Sequence, residues 1–197
     1  MPRPSAVAER RHEILKATCL VISERGFRDL RIADVAKIAG YSTGTVHYYF
    51  DSKDELLVEA FRFQYEQSVG RREYYFQDDD DPVLRLRKLA RGYLPSSEST
   101  IQAWRVWLEL WVSALRDRPL AALNDVYYGD WRNAVLEAAT AARDEGLLNI
   151  SDVVAFADVY VAMLDGLAIQ VLIGATHMTV QRMQETCTSF IDNFLVP

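Results

Sequence analysis

The stretch from Arg31 to Asp54 constrains the fold of this chain more than any other part of the sequence. Its first half places apolar residues three and four positions apart, the spacing that turns one face of a helix toward a core: Ile32, Val35, Ala36 and Ala39. This spacing predicts a short helix. Gly40 follows the last of these residues, so we expect the helix to end there through a left-handed turn.

A second short helix is predicted directly after that turn. Ser42 can cap its N-terminus, and Val46 and Phe50 share its buried side. At about 100° per residue, the opposite side carries small, hydroxyl and aromatic groups, unlike an ordinary charged solvent face. These outward residues are Gly44, Thr45, His47 and Tyr48, with Thr43 at the helix tip.

Two short helices joined by a glycine turn are typical of a helix-turn-helix, whose second helix enters the major groove of DNA. Hydroxyl groups can bond bases or phosphate, a glycine allows close backbone approach, and His and Tyr can reach phosphate oxygens. A lysine at the start of the next helix also suits a phosphate, and Ser52 with Glu55 predicts a capping box there. The predicted DNA-binding residues are Ser42, Thr43, Gly44, Thr45, His47, Tyr48 and Lys53.

Charge is distributed unevenly along the chain. The net charge of −6 argues at first sight against a nucleic-acid partner. Residues 1–50 nevertheless carry eight Lys and Arg against five Asp and Glu, a balance of +3, so the excess of acid lies in the remainder. The basic end coincides with the predicted helix-turn-helix, as binding to DNA requires. Within it, Arg3, Arg10 and Arg11 are candidates for phosphate contact or for a solvated arm.

The same stretch resembles the N-terminal signature of TetR-family transcriptional regulators. The matching residues are Asp34-Val35-Ala36, Ala39-Gly40, Ser42, Gly44, Tyr49-Phe50, Ser52-Lys53 and Leu56. The departures are Arg31, where a capping threonine is frequent, Tyr41, where a small apolar residue is frequent, and His47, where a tyrosine is frequent. The resemblance implies a three-helix DNA-binding head, a helical ligand-binding and dimerisation body, and repression at a palindromic DNA operator relieved by a small-molecule effector.

Every further segment is predicted to be helical, so the predicted fold class is all-α. Helical patterns cover residues 8–25, 53–70, 82–94, 99–116, 119–145, 153–173 and 179–195. Asp78–Asp81 is interpreted as a solvated loop in which Asp81 caps the helix that Pro82 begins. We expect a helix-turn-helix domain over residues 1–52 and a ligand-binding and dimerisation domain over residues 53–197.

Aromatic residues are concentrated on two successive helices in the middle third of the chain, where they can line an apolar pocket or fill a helical core. The stretches WRVWLELWVSALRD and LDGLAIQ also resemble the choline-responsive betaine regulators, a subgroup of the same family. Aromatic cages bind quaternary ammonium, and Asp158 and Asp165 are candidate counter-charges. The predicted ligand-binding residues are Trp104, Trp107, Trp111, Tyr127, Trp131 and Asp165.

Residues 153–173 are apolar nearly all the way round, so this helix must be covered on more than one side. A membrane span is the alternative, but Asp158 and Asp165 are costly in lipid and no basic or aromatic belt flanks the segment. The final helix has a single apolar stripe. The TetR resemblance implies a homodimer through such a helix pair, at about residues 151–174 and 179–195.

Enzyme signatures are weak in this sequence, and no cofactor or metal is expected. Glu9 and His12 match one half of a di-iron motif, which we interpret as chance because the other half is missing. Cys19 and Cys187 are the only cysteines, and we interpret them as core thiols in a reducing cytoplasm. Two alternatives stay open: a dimeric DNA-binding protein without an effector, and an all-α enzyme.

Overall fold

The computed structural model describes residues 6–75 and 81–196, apart from the side chain of Tyr75. Nine helices form this part of the chain: α1 Ala6–Arg25, α2 Ile32–Ala39, α3 Thr43–Tyr49, α4 Lys53–Tyr75, α5 Pro82–Tyr93, α6 Glu98–Ala114, α7 Arg118–Asp144, α8 Val153–Leu172 and α9 Val180–Asp192. Within these ranges the only extended pairing is an isolated antiparallel bridge between Leu148 and Leu195. The all-α prediction is therefore confirmed, with α4 longer and α9 shorter than the sequence pattern predicted.

The helices group into two compact units. The first contains residues up to 67 together with 102–124, and the second contains residues 68–101 and 125–197. Helices α4, α6 and α7 each contribute residues to both units. This grouping by packing differs from the functional division predicted at residues 52 and 53, which stays a prediction. Arg3 and residues 78–80, considered above, lie outside the described residues.

The first unit is built around the predicted helix-turn-helix. Gly40 ends α2 in the left-handed conformation, with φ of 76°, and the amide of Tyr41 donates to the Ala36 carbonyl at 2.9 Å. The left-handed turn predicted at this glycine is thus confirmed. Seven core side chains between the start of α1 and the middle of α4 are at most 2% exposed: Ile14, Ile22, Val35, Val46, Phe50, Leu56 and Phe61.

Arg11 joins three helices of the first unit. Its guanidinium forms an ion pair with Glu59 at 2.6 Å, donates to the Tyr49 carbonyl at 3.4 Å and lies 4.7 Å from the centre of the Phe50 ring. These contacts fix the end of α3 against α1 and α4, although the Arg11 side chain is 37% exposed. The solvated-arm alternative is therefore wrong for Arg11, whereas phosphate contact stays a prediction.

Helix α6 contributes a carboxylate to the first unit. The backbone amide of Phe27 donates to Glu109 Oε2 at 3.0 Å. Gly26, the residue before it, has φ of +77°, and a Cβ placed there would lie 3.1 Å from Glu109 Oε1. The left-handed backbone conformation therefore favours glycine at position 26, and a Cβ there would require the Glu109 carboxylate to shift by a few tenths of an ångström.

The second unit packs α5 and α8 against α9. Aromatic rings from α8 and the C-terminal segment form a cluster in this unit, with ring centres 5.0 to 5.8 Å apart: Phe156, Tyr160, Phe190 and Phe194. The predicted cap is confirmed, since Asp81 accepts a hydrogen bond from the amide of Leu84 at 2.8 Å and Pro82 begins α5. Cys19 and Cys187 are both free and buried, as predicted.

Helix α8 leaves much of its apolar surface uncovered in the single chain. It has 20 residues, and by length and composition alone it is apolar enough to cross a membrane. Only about a third of its most apolar part is buried. Val154 and Val159 are among its exposed residues, at 48% and 54%. A further surface is therefore needed to cover α8.

Candidate DNA-binding surface and effector site

The start of α3 is fixed by Ser42. This residue adopts an extended conformation, and its Oγ accepts a hydrogen bond from the Thr45 amide at 3.0 Å. The Ser42 and Thr45 hydroxyls lie 2.9 Å apart. Ser42 therefore caps the helix, as predicted, and orients the Thr45 hydroxyl at the same time.

The outward face of α3 is open to solvent. Thr43, Gly44, His47 and Tyr48 are exposed, whereas Thr45 is half-buried. Tyr48 is 80% exposed, and its ring contacts the Tyr49 ring edge-on with centres 5.1 Å apart. An exposed aromatic side chain of this kind can contact a ligand without rearrangement of the core.

Gly44 has no structural reason to be glycine within the protein. A Cβ placed there would meet only Ser42 Oγ, at an ordinary contact distance of 3.6 Å. Its φ is not positive, so an alanine would fit the backbone. Since glycine in a helix is less stable than alanine, its presence favours a close approach by something outside the chain.

Lys53 and its neighbours form a second part of this surface. The Lys53 ammonium donates to the Arg28 carbonyl at 3.1 Å and lies 4.6 Å from the centre of the Phe27 ring. A lysine has three donors, so this arrangement positions the charge and leaves donors for a phosphate. Ser52 accepts from the Glu55 amide as the capping box predicts, but the Glu55 carboxylate accepts from the amide of Asp51 rather than of Ser52.

The residues that depart from the TetR signature have distinct environments. Arg31 occupies the N-cap of α2 without any side-chain hydrogen bond to the helix. Tyr41 donates a hydrogen bond to Glu13 of α1, which raises the pKa of the phenol. Tyr41 thus ties the turn to α1, and the α2 N-cap lacks the side-chain oxygen that a threonine would supply.

The six predicted ligand-binding residues divide between the two units. The three tryptophans of α6 belong to the first unit, in which Trp104 is 1% exposed and contacts Trp111 edge-on with ring centres 5.6 Å apart. The second unit holds Tyr127, Trp131 and Asp165. The second unit thus holds both predicted aromatic residues of α7 and the predicted carboxylate.

In the second unit, Asp165 lies at the centre of an aromatic cluster. The Tyr93 hydroxyl donates to Asp165 Oδ1 at 2.6 Å, and the Tyr128 hydroxyl donates to Oδ2 at 2.5 Å. The Tyr93 ring also stacks on Trp131, with ring centres 4.4 Å apart and an angle of 17° between the planes. We call these four residues, Tyr93, Tyr128, Trp131 and Asp165, the Asp165 cluster.

The Asp165 cluster combines buried charge with an unused donor. Burial raises the pKa of the Asp165 carboxyl, and the two tyrosine hydrogen bonds act in the opposite direction. Among the described residues, no Lys or Arg forms an ion pair with Asp165, and the buried Trp131 Nε1 has no hydrogen-bond partner. Arg72, whose guanidinium lies 6.0 Å from the centre of the Trp131 ring, is neutralised by Asp130 at 2.5 Å.

Asp158, the second candidate counter-charge, is not part of the Asp165 cluster. Its carboxylate accepts a hydrogen bond from Arg132 Nε at 2.5 Å on the surface. That hydrogen bond lowers the pKa of Asp158. The predicted pairing of Asp158 with Asp165 as joint counter-charges is therefore corrected: Arg132 already neutralises Asp158.

Sequence reasoning missed both tyrosines of the Asp165 cluster. Tyr128 precedes Trp131 by three residues, so a shared helix face was available as a signal. Tyr93 is the last residue of α5, and no spacing in the sequence connects it with Asp165 on α8. Only the packing of these helices places its hydroxyl on the carboxylate.

Comparison with family models gives two matches that together cover most of the chain. Residues 14–60 match the N-terminal model of bacterial regulatory proteins of the tetR family. Residues 82–196, more than half of the chain, match the model of the C-terminal domain of BetI-type transcriptional repressors.

Curated relatives and solved structures agree with these matches. The chain is 36% identical over 127 residues to the HTH-type transcriptional regulator BetI of Stenotrophomonas maltophilia, covering 63% of this chain and 64% of that protein. The BetI of Proteus mirabilis is 32% identical over 129 residues, with 64% of each protein covered. The matched part therefore spans slightly less than two thirds of these relatives. They are named as regulators, which confirms the prediction of a regulator rather than an enzyme.

Among solved structures, a regulator from Saccharomonospora viridis in complex with choline superposes with a TM-score of 0.91 at 29% identity, covering 96% of this chain and 99% of that one. A TetR-family regulator from Rhodococcus sp. superposes with a TM-score of 0.81 at 26% identity, covering 95% and 99%. Both cover nearly the whole chain, so the fold is that of these regulators.

Proposed function

Because the chain belongs to the TetR family of regulators and carries a BetI-type C-terminal domain, we propose that it is a homodimeric repressor that a small cation releases from its DNA operator. The observation that carries the DNA-binding part is the outward face of α3. It is exposed, carries hydroxyl and aromatic groups, and contains a glycine that internal packing does not require. Such a protein works in the cytoplasm, beside the DNA.

The DNA-binding residues of the proposal are those of α3 and the adjoining helix end. Thr43, Gly44 and Thr45 face the bases or sugar-phosphate backbone, while His47, Tyr48 and Lys53 contact phosphate. Ser42 serves by capping α3 and holding the Thr45 hydroxyl.

The exposed apolar side of α8 supports the dimer. A second copy that packs α8 and α9, at about residues 151–174 and 179–195, against their counterparts would cover Val154 and Val159. Two heads related by twofold symmetry require a palindromic operator with half-sites about one DNA turn apart, roughly 34 to 36 Å, or a multiple of that distance.

The DNA-binding part is tested by a salt titration with a duplex from the region upstream of the protein's own gene and a scrambled duplex of equal length. We expect tighter binding to the upstream duplex, and a logarithm of the binding constant that falls linearly with the logarithm of salt concentration. Equally weak binding to both duplexes would contradict a specific operator in that region.

The Asp165 cluster supports a quaternary ammonium effector. Aromatic rings attract such a cation through their faces, and a carboxylate without an ion-pair partner supplies the opposite charge. The buried Trp131 Nε1 is a donor available to an oxygen of the same ligand. Choline carries one quaternary ammonium and one hydroxyl group, and the related Saccharomonospora viridis regulator was solved in complex with it. Choline is therefore the effector that we propose for this chain.

Release has a simple thermodynamic form. Choline need only bind more tightly to dimers whose heads are not spaced for the operator, and the population then shifts away from the DNA-bound state. No covalent chemistry is required.

The effector part is tested by measuring the choline concentration that releases half of the bound operator. Asp165→Asn is expected to raise this concentration at least about tenfold, because the buried counter-charge is lost, while operator affinity without choline stays unchanged. Asp158→Asn is the matched control, since it removes the same charge from the same helix at a residue already paired with Arg132. It should change the release concentration less than about twofold.

The outcomes separate the two parts of the proposal. If the wild-type protein binds the operator and choline does not release it, the DNA-binding part stands and the effector assignment is wrong. Equal effects of both aspartate substitutions would likewise remove Asp165 from the effector site.

A further inference from the structure

A cleft of about 320 Å³ lies between α5 and α9, and no site described above uses it. One face of α5 contributes Arg87 and Arg91, and one face of α9 contributes Gln184 and Thr188. The volume is at the lower end of the range found for small-molecule sites. The cleft thus combines a suitable size with polar groups from two helices.

A buried hydroxyl group adjoins this cleft. Tyr160 of α8 lines it and is 0% exposed, yet its hydroxyl has no hydrogen-bond partner among the described residues. Its ring is fixed by stacking on Phe156 and Phe190, with ring centres 5.8 and 5.5 Å away. Cys187 and Arg87 line the cleft beside Tyr160.

The protonation and charge of the cleft favour an anion. Burial raises the pKa of Tyr160 far above neutrality, so its hydroxyl stays protonated and can donate. Arg87 is neutralised by Asp192 at 2.5 Å. Arg91 is exposed and forms no ion pair in the part of the chain that the structure describes. The cleft therefore presents one uncompensated guanidinium and one unused hydroxyl donor.

We propose that this cleft binds a small organic carboxylate with a short apolar body. The Arg91 guanidinium forms a bidentate ion pair with the carboxylate, through two parallel N–H···O hydrogen bonds. The Tyr160 hydroxyl donates to an oxygen of the same ligand, which satisfies a donor that is otherwise buried without a partner. Ala90, Leu94 and Ile191, which also line the cleft, contact the apolar body.

This site differs from the Asp165 cluster in the charge of the ligand that it selects. The Asp165 cluster presents a carboxylate and aromatic faces, which suit a cation, whereas the α5–α9 cleft presents a guanidinium and a hydroxyl donor. A carboxylate in the cleft would contact both α5 and α9, and so stabilise the packing of the second unit against unfolding.

The experiment is titration calorimetry of the full-length protein with hexanoate, and with hexanol as the uncharged probe of equal chain length. We expect one hexanoate per protomer, bound at least tenfold more tightly than hexanol. Arg91→Gln should weaken hexanoate binding about tenfold, because it removes the uncompensated charge. Arg85→Gln is the matched control on the exposed side of α5 and should leave the affinity within twofold.

Tyr160→Phe provides a second, independent readout. Because the hydroxyl has no partner in the unliganded protein, removing it should leave the unliganded melting temperature unchanged or raised, while hexanoate affinity falls about fivefold. Hexanol binding as tightly as hexanoate, equal losses in the two arginine variants, or undiminished hexanoate affinity in Tyr160→Phe would each overturn the proposal. An absence of hexanoate binding to the wild-type protein would overturn it as well.

Discussion

The outward face of α3 and the Asp165 cluster obtain their chemistry in opposite ways. On α3, Tyr48 and His47 are exposed to solvent, and side-chain hydrogen bonds join Ser42 and Thr45 within one helical turn. In the Asp165 cluster, the functional groups already bind each other across three helices, and the carboxylate is occupied by two tyrosine hydroxyls.

This difference predicts how each region responds to change. Side chains on α3 contribute little to folding, so their removal should alter DNA binding and leave stability nearly unchanged. Groups in the Asp165 cluster contribute to both, because the Tyr93 and Tyr128 hydroxyls satisfy the buried Asp165 carboxylate. Substitutions on α3 should therefore change DNA binding without changing stability, whereas substitutions in the Asp165 cluster should change effector binding and stability together.

The largest difference between the effect on operator affinity and the effect on stability is expected for Tyr48→Ala. Operator affinity should fall by roughly tenfold or more, about 1.4 kcal/mol, since an exposed contact to DNA is removed. The melting temperature should change by no more than about 2 °C, because the side chain is 80% exposed. Fluorescence anisotropy with labelled operator and thermal unfolding give the two values. Tyr74→Ala, which alters a tyrosine 86% exposed near the end of α4, is the control. A large loss of stability in Tyr48→Ala would contradict the comparison.

Arg31→Thr should raise stability by about 1 kcal/mol, since a threonine at the N-cap supplies the oxygen that α2 lacks. Urea unfolding of the full chain measures this change. Arg28→Thr removes the same charge outside the cap position and should not raise stability. The choline concentration that releases half of the bound operator should be the same in Arg31→Thr and wild type. A change in this concentration would show that a substitution in the DNA-binding head also affects the effector site.

A smaller effect, opposite in sign for the two properties, is expected for Gly44→Ala. Stability should rise by about 0.5 kcal/mol, because alanine favours the helix and its Cβ has room. Operator affinity should nevertheless fall, since the methyl group stands where DNA must approach. If affinity stays at the wild-type value, glycine is not needed for close approach at this position.

The smallest effects are pH trends of opposite sign in the two aspartate variants. The raised pKa of Asp165 means that its ionisation disfavours the folded state, so wild type should lose stability relative to Asp165→Asn as pH rises above about 4. The lowered pKa of Asp158 means that its ionised form favours folding, so wild type should gain stability relative to Asp158→Asn as pH rises toward about 4 from below. Melting temperatures across this range provide the test, and trends of equal sign would refute the assigned environments.

The local parts of the molecule could be predicted from the sequence. The left-handed turn at Gly40, the Ser42 cap and the burial of Val46 and Phe50 all depend on residues within a few positions of each other. Short-range spacing carries that information directly. The same holds for the Asp81 cap of α5, which needs only its own first turn.

The parts assembled from distant segments could not be predicted. Arg11 is an example, because its three contacts on Glu59, Tyr49 and Phe50 depend on how α1, α3 and α4 pack. Tyr93 is another, since it meets Asp165 at a separation of 72 residues. A spacing rule can place a residue on a helix face, but it does not identify the helix that this face will meet.

The contact between Gly26 and Glu109 has an evolutionary consequence. A side chain at position 26 would require the Glu109 carboxylate, which holds the amide of Phe27, to shift by a few tenths of an ångström. Fitness effects at positions 26 and 109 should therefore be epistatic, so that an asparagine in the left-handed conformation at 26 is tolerated better once a shorter residue has replaced Glu109. One hydrogen bond across the first unit thus restricts the order in which mutations at these two positions can accumulate.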